Sequence, residues 1–164
     1  MAYKISTPLL GFQPIAETST TQRHALGTIV TAFDPTYGAG EFVYLKGIGS
    51  TAVGTMVDFD QTLGTTALSP ATGGIGPVAV AMSANVASQY GWYQIAGAAA
   101  VAAPNAAVVG AEVFSLAATA GSVDDAQVNG EQILNAKFST TTGTPSTGLA
   151  IIQIDRPFHQ GQIV

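Results

Sequence analysis

From Gly27 onward, apolar and polar residues alternate in short runs that glycine, threonine and serine interrupt. A period of two sends successive side chains to opposite faces of an extended chain, so each run predicts a β-strand. Thr28 to Phe33 is the first, and Asp34-Pro35-Thr36-Tyr37-Gly38 is the turn after it. Glu41 to Lys46 follows, with Phe42 and Tyr44 on one face and Val43 and Leu45 on the other. After the break at Gly47-Ile48-Gly49-Ser50, Val53 to Phe59 puts Val53, Thr55, Val57 and Phe59 on one side and Met56, Asp58 and Asp60 on the other. Gln61 to Gly76, rich in Thr and Gly, reads as a loop.

Val78 to Met82 alternates valine and methionine with Ala79 and Ala81, whose small side chains let another layer approach closely. Trp92 to Ala96 is the next strand, with Val101 beyond Gly97. Val108 to Leu116 is another, and Asn129-Gly130 signals a tight turn. Ile133 to Ser139 and Leu149 to Asp155 form a final pair around a turn at Gly143 to Gly148. A short helix is expected at Ser83 to Gln89. About eight strands with turns between them predict an all-β chain, a small β-barrel or β-sandwich.

Residues 1–26 carry neither period. Ile5, Leu9, Leu10, Phe12 and Ile15 sit there among prolines and a polar run from Glu17 to Gln22. Apolar side chains in an aperiodic, proline-broken arm call for a surface to cover them. The arm either folds back on its own domain, residues 27–164, or docks on a neighbour. These five residues are the expected contacts with a partner protein or a second subunit.

Composition narrows the function. Only 9% of the residues are charged and the net charge is −5. Lys4, Arg23, Lys46, Lys137 and Arg156 are scattered, so no basic stripe stands ready for phosphates, and direct nucleic-acid binding is not expected. With no cysteine there are no disulfides or thiolate metal sites. Pro8, Gly11 and Pro14 interrupt any signal-peptide core. The apolar stretch from Ile95 to Ala120 is broken by Pro104, Asn105 and Glu112 and reads as two strands rather than a membrane span.

Catalytic groups are sparse. His24 and His159 are the only histidines, expected to be exposed or to face a partner, and no Gly-x-Ser-x-Gly elbow accompanies them. A metal site through both would need the two ends of the chain to meet. Asp58 with Asp60, and Asp124 with Asp125, read as edge and loop charges, since the cation-binding loop pattern is absent. Gly38-Ala39-Gly40 and Gly47-Ile48-Gly49 read as turns rather than phosphate loops. Tyr90, Trp92 and Tyr93 could form a sugar platform or a protein contact, with core packing as the simpler reading. No catalytic residue, cofactor or metal is expected.

The blocks Gly76-Pro77-Val78-Ala79-Val80-Ala81-Met82-Ser83 and Tyr90-Gly91-Trp92-Tyr93-Gln94-Ile95-Ala96-Gly97-Ala98-Ala99-Ala100-Val101 resemble a segment of the head decoration, or cement, proteins of tailed phages. Glu41 to Lys46 and the ending Ile151-Ile152-Gln153-Ile154-Asp155-Arg156-Pro157-Phe158 fit the same pattern. The resemblance spans residues 27 to 158. It implies a β-rich structural protein, often a trimer, bound to the major capsid protein on the outside of the virion and present in host cytoplasm during assembly. The rival expectations are another virion role, such as a head-fibre base, a tail component or a minor capsid subunit, and a carbohydrate-binding β-sandwich.

Overall fold

Every alternating run contains a strand in the computed structural model, which describes residues 1–6, 11–85 and 87–161. The strands are β1 (Lys4–Ile5), β2 (Ile29–Asp34), β3 (Gly38–Lys46), β4 (Met56–Phe59), β5 (Thr66–Leu68), β6 (Val78–Ala81), β7 (Tyr90–Ala102), β8 (Glu112–Ser115), β9 (Val123–Asp124), β10 (Gln132–Phe138) and β11 (Leu149–His159). Among the described residues there is no helix, and the chain is all-β. The strands join in one open antiparallel sheet, ordered β1-β2-β3-β7-β11-β10-β8-β9, with β6, β4 and β5 branching from β7.

The central strand is β7. Its first half, Tyr90 to Ala96, borders β3, and its second half, Ala96 to Ala102, borders β11. Tyr93 and Gln94 also border β6. One strand thus serves two parts of a sandwich-like fold, and a break in its pleat lets it do so. Gly97 has φ +98°, and a Cβ there would meet the Ala39 carbonyl oxygen at 2.4 Å. Only glycine takes that conformation at that approach. Trp92 to Ala96 and Val101 therefore belong to one strand bent at Gly97.

Among the described residues four apolar clusters fill the fold, the smallest being Ala98, Ala100 and Ile151. Met56, Val78 and Val80 pack on Val101, Phe138 and Ile152. Phe42, Tyr44 and Trp92 pack with Val30, Tyr3 and Ile15. Val43, Leu45, Tyr93 and Ile95 pack with Val57, Ala79 and Ala81. The odd and even residues of β3 thus enter different clusters, as its alternation requires. Because β3 and β7 are covered on both faces, neither reads as simply apolar-in, polar-out.

The departures have local causes. Ser83 to Gln89 forms no helix among its described residues; Ser88 takes φ +66°, and the Asn85 side chain donates to the Tyr93 hydroxyl at 2.6 Å. Gly54, at φ +87°, turns the chain before β4, so Val53 to Thr55 lie outside it. Thr66–Leu68 within the expected loop pairs with β4. No helix among the described residues is long and apolar enough to cross a membrane.

Candidate interaction surface

The N-terminal arm is fastened to the sheet by polar bonds as much as by apolar contact. Gln13 is fully buried. Its carbonyl accepts from Trp92 Nε1 at 2.7 Å and its Oε1 accepts from the Tyr44 hydroxyl at 2.9 Å. Its Nε2 donates to the carbonyls of Glu17 and Tyr90, at 2.6 and 3.0 Å. Its backbone N–H donates to Nε2 of His24 at 3.1 Å. Ser19 and Tyr90 exchange backbone hydrogen bonds. Nearer the N-terminus, β1 pairs with β2, and the Tyr3 hydroxyl donates to the Ala98 carbonyl while its ring meets Phe42 edge-on. Burial pushes the Tyr3 and Tyr44 hydroxyls above their ordinary range.

The opposite face of β2 is open. The register Ile29↔Val43, Thr31↔Glu41 and Phe33↔Ala39 places Ile29, Thr31 and Phe33 together on the face of Val43 and Ile95. Ile29 is 46% exposed and Phe33 55%. Beside them lies a groove of about 350 Å³ lined by Ile29, Val43, Leu45, Phe59, Ile95 and Phe158. Arg156 stands at its edge and donates to Glu41 at 2.7 Å. Arg156 has φ +48°, and Asn135 on the facing strand has φ +59°, at a register shift between β10 and β11. This bulge turns the end of β11 so that Arg156 and Phe158 border the groove. The groove is mostly apolar, with Asp60 and Gln61 also on its lining and the exposed Arg156–Glu41 pair, which adds little stability in water, at its edge.

His159 ends β11 and is buried within its own chain, contrary to the expectation of an exposed or partner-facing histidine, because β11 continues four residues past Asp155. Its Nε2 lies 3.0 Å from Ser69 Oγ and 2.8 Å from Asp58 Oδ1. Gly74 covers the ring so closely that a Cβ there would sit 2.4 Å from His159 Cε1. A hydrolytic relay places serine on one ring nitrogen and carboxylate on the other. Here both share Nε2, and Nδ1 is buried without a partner. The cluster ties the end of β11 to β4 and to the segment after β5.

Of the other singled-out residues, Ile15 is buried in the chain's own second cluster, Ile5 is half-buried in β1, and Phe12 is 46% exposed. Leu9 and Leu10 lie outside the described residues. Trp92 and Tyr93 are both fully buried, on opposite faces of β7, and offer no ring face to a sugar; Tyr90 stacks on Tyr44. His24 and His159 belong to separate places: His24 packs on Tyr44 and Trp92, His159 on Asp58. Among the described residues no group of three or more histidine and acidic side chains could hold a metal. Asp124 caps its own turn through Ala126 N–H, and Asp125 accepts from Val108 N–H. Gln13, the main anchor of the arm, carries no periodic or motif signal in the sequence.

Compared with models of known protein families and with curated proteins, the sequence matches none.

Proposed function

We propose that this protein is a non-catalytic structural subunit of a phage virion, a decoration protein that binds the major capsid protein on the outside of the head and stabilises the shell. The observation that supports this reading best is the solvent-facing strip of Ile29, Phe33 and Phe158 beside an apolar groove. A strip of this kind on a chain with few charges is easily desolvated against a protein partner. The sequence resemblance to decoration proteins points the same way, and with it comes assembly as a homotrimer. Many copies on one shell turn a modest contact into a large total effect. Ile5 packs with Val30 and Ala32 on the other face of β2, so the arm, with Phe12 exposed, offers a contact separate from the strip, and Ile15 reaches a partner only if its segment lifts off the sheet.

The test is co-sedimentation of the purified chain with undecorated capsids of its source virus, with bound copies counted. The expected result is saturable binding at many copies, in a ratio that matches the local symmetry axes. No binding, or a handful of copies per particle, overturns the reading.

A further inference from the structure

His24 lies half-buried where the arm crosses the sheet. Its ring meets Tyr44 edge-on at 5.1 Å and Trp92 at 5.4 Å. Its Nε2 accepts the Gln13 backbone N–H at 3.1 Å. An imidazole nitrogen accepts a hydrogen bond only while it carries no proton, so this contact requires neutral His24 with its proton on Nδ1. Gln13 in turn carries the bonds from Trp92 and Tyr44 that hold the segment down.

We propose that His24 is an acid-labile latch: neutral, it holds residues 11–19 over Trp92, and protonated, it releases them. A proton on Nε2 would face the Gln13 N–H, setting two donors against each other in place of a bond. The other charged or titratable groups around it do not relieve this. Arg23, the preceding residue, repels an imidazolium. Tyr44 from β3 and Tyr90 from β7 are neutral phenols near pH 7. Among the described residues no carboxylate is paired with His24, and the Glu17 side chain is exposed. Attraction of a cation to the Trp92 and Tyr44 rings opposes release, but it does not restore the lost acceptor. Burial first, and the Arg23 charge second, hold the His24 pKa below its ordinary 6.5. The neutral form is therefore favoured in the closed state, and the latch weakens as pH falls through the region below about 6.5. This inference is independent of the capsid reading.

Trp92 is the only tryptophan, and its indole N–H is bonded to Gln13, so its emission reports the latch directly. The experiment is a fluorescence titration of the full chain from about pH 8 to about pH 4.5, with far-UV circular dichroism recorded in parallel. The expected result is a red shift of Trp92 emission while the β signal persists, and a flat titration in His24→Gln, which keeps an acceptor but cannot titrate in this range. No shift in the wild-type chain, a shift of equal size in His24→Gln, or a shift that coincides with loss of the β signal overturns the proposal. If His24→Gln does not fold, the NMR titration of the His24 ring in the wild-type chain decides: its midpoint must coincide with that of the Trp92 shift, and a mismatch overturns the proposal.

Discussion

The indole N–H of Trp92 donates to the backbone carbonyl of Gln13 across 79 positions of the chain, at 2.7 Å. This bond joins the aperiodic arm to the central strand, and it makes the arm's attachment directional rather than merely apolar. Trp92 is wholly buried and has no second hydrogen-bonding atom, so the carbonyl of Gln13 is the group that satisfies it.

The Gln13 side chain satisfies Tyr44 in the same way. Gln13→Ala removes the acceptor of the Tyr44 hydroxyl and a donor to the Tyr90 carbonyl, both deep in the interface. Leaving a buried polar partner unmade costs about 1–3 kcal/mol. The expected outcome is a loss of that size in urea denaturation, with faster proteolysis of residues 1–26 than of the sheet. Equal cleavage of wild type and variant within the arm would mean that the side chain does not anchor it.

Gly97 is the second structural pivot. Gly97→Ala must take φ +98° and push its Cβ into the Ala39 carbonyl, which belongs to the backbone and cannot rotate away. Strained backbone of this kind costs about 1–3 kcal/mol, and the clash adds to it. A lowered unfolding midpoint with an unchanged slope is expected in denaturant titration. A variant as stable as the wild type would show that β7 can pass from β3 to β11 without this bend.

Asp34 gives the fold an acid dependence. Its burial disfavours the charged form, but the N–H groups of Ala2, Thr36 and Tyr37 all donate to its carboxylate, and together they hold its pKa below the ordinary 3.8. A carboxyl group whose folded pKa is depressed adds stability above its unfolded pKa and loses it as pH falls through the folded value. Stability measured from about pH 5 down to about pH 2 should therefore fall more steeply in the wild type than in Asp34→Asn. Parallel curves would assign the acid sensitivity to other groups.

Strand alternation made the faces of β3 readable, because Phe42 and Tyr44 differ from Val43 and Leu45 only in which layer they meet. The two-residue strands β1 and β9 are too short to carry a period, and they exist because β2 and β8 offer them an edge. The reach of β11 to His159 hides behind Arg156-Pro157, where a bulge rather than a turn carries the strand onward. The anchoring of the arm by Gln13 is wholly tertiary: its partners Tyr44 and Trp92 lie far along the chain, and nothing in the residues around it announces them. The open strip was half legible. Thr28 to Phe33 reads as a strand, but only the register shows that the face of Ile29 and Phe33 is left uncovered while that of Val30 and Ala32 is buried.

That open strip gives the proposed capsid role its sharpest mutational test. Ile29 and Phe33 are about half exposed on the free chain, so they contribute less to folding than the core residues do. Exposed substitutions away from special features usually change stability by less than about 0.5 kcal/mol. Burying an aliphatic or aromatic side chain against a partner is worth about 1.5–3 kcal/mol, and each 1.4 kcal/mol is tenfold in affinity. The double variant Ile29→Ser, Phe33→Ser should thus keep the wild-type circular dichroism and melting curve while its affinity for undecorated capsids drops by more than about tenfold. Binding at wild-type affinity by a folded double variant would move the docking face away from β2, toward the arm around Phe12. A parallel loss of folding and binding would instead make the strip part of the domain's own stability, in which case Phe158→Ser, across the groove on β11, separates the two roles by the same pair of measurements.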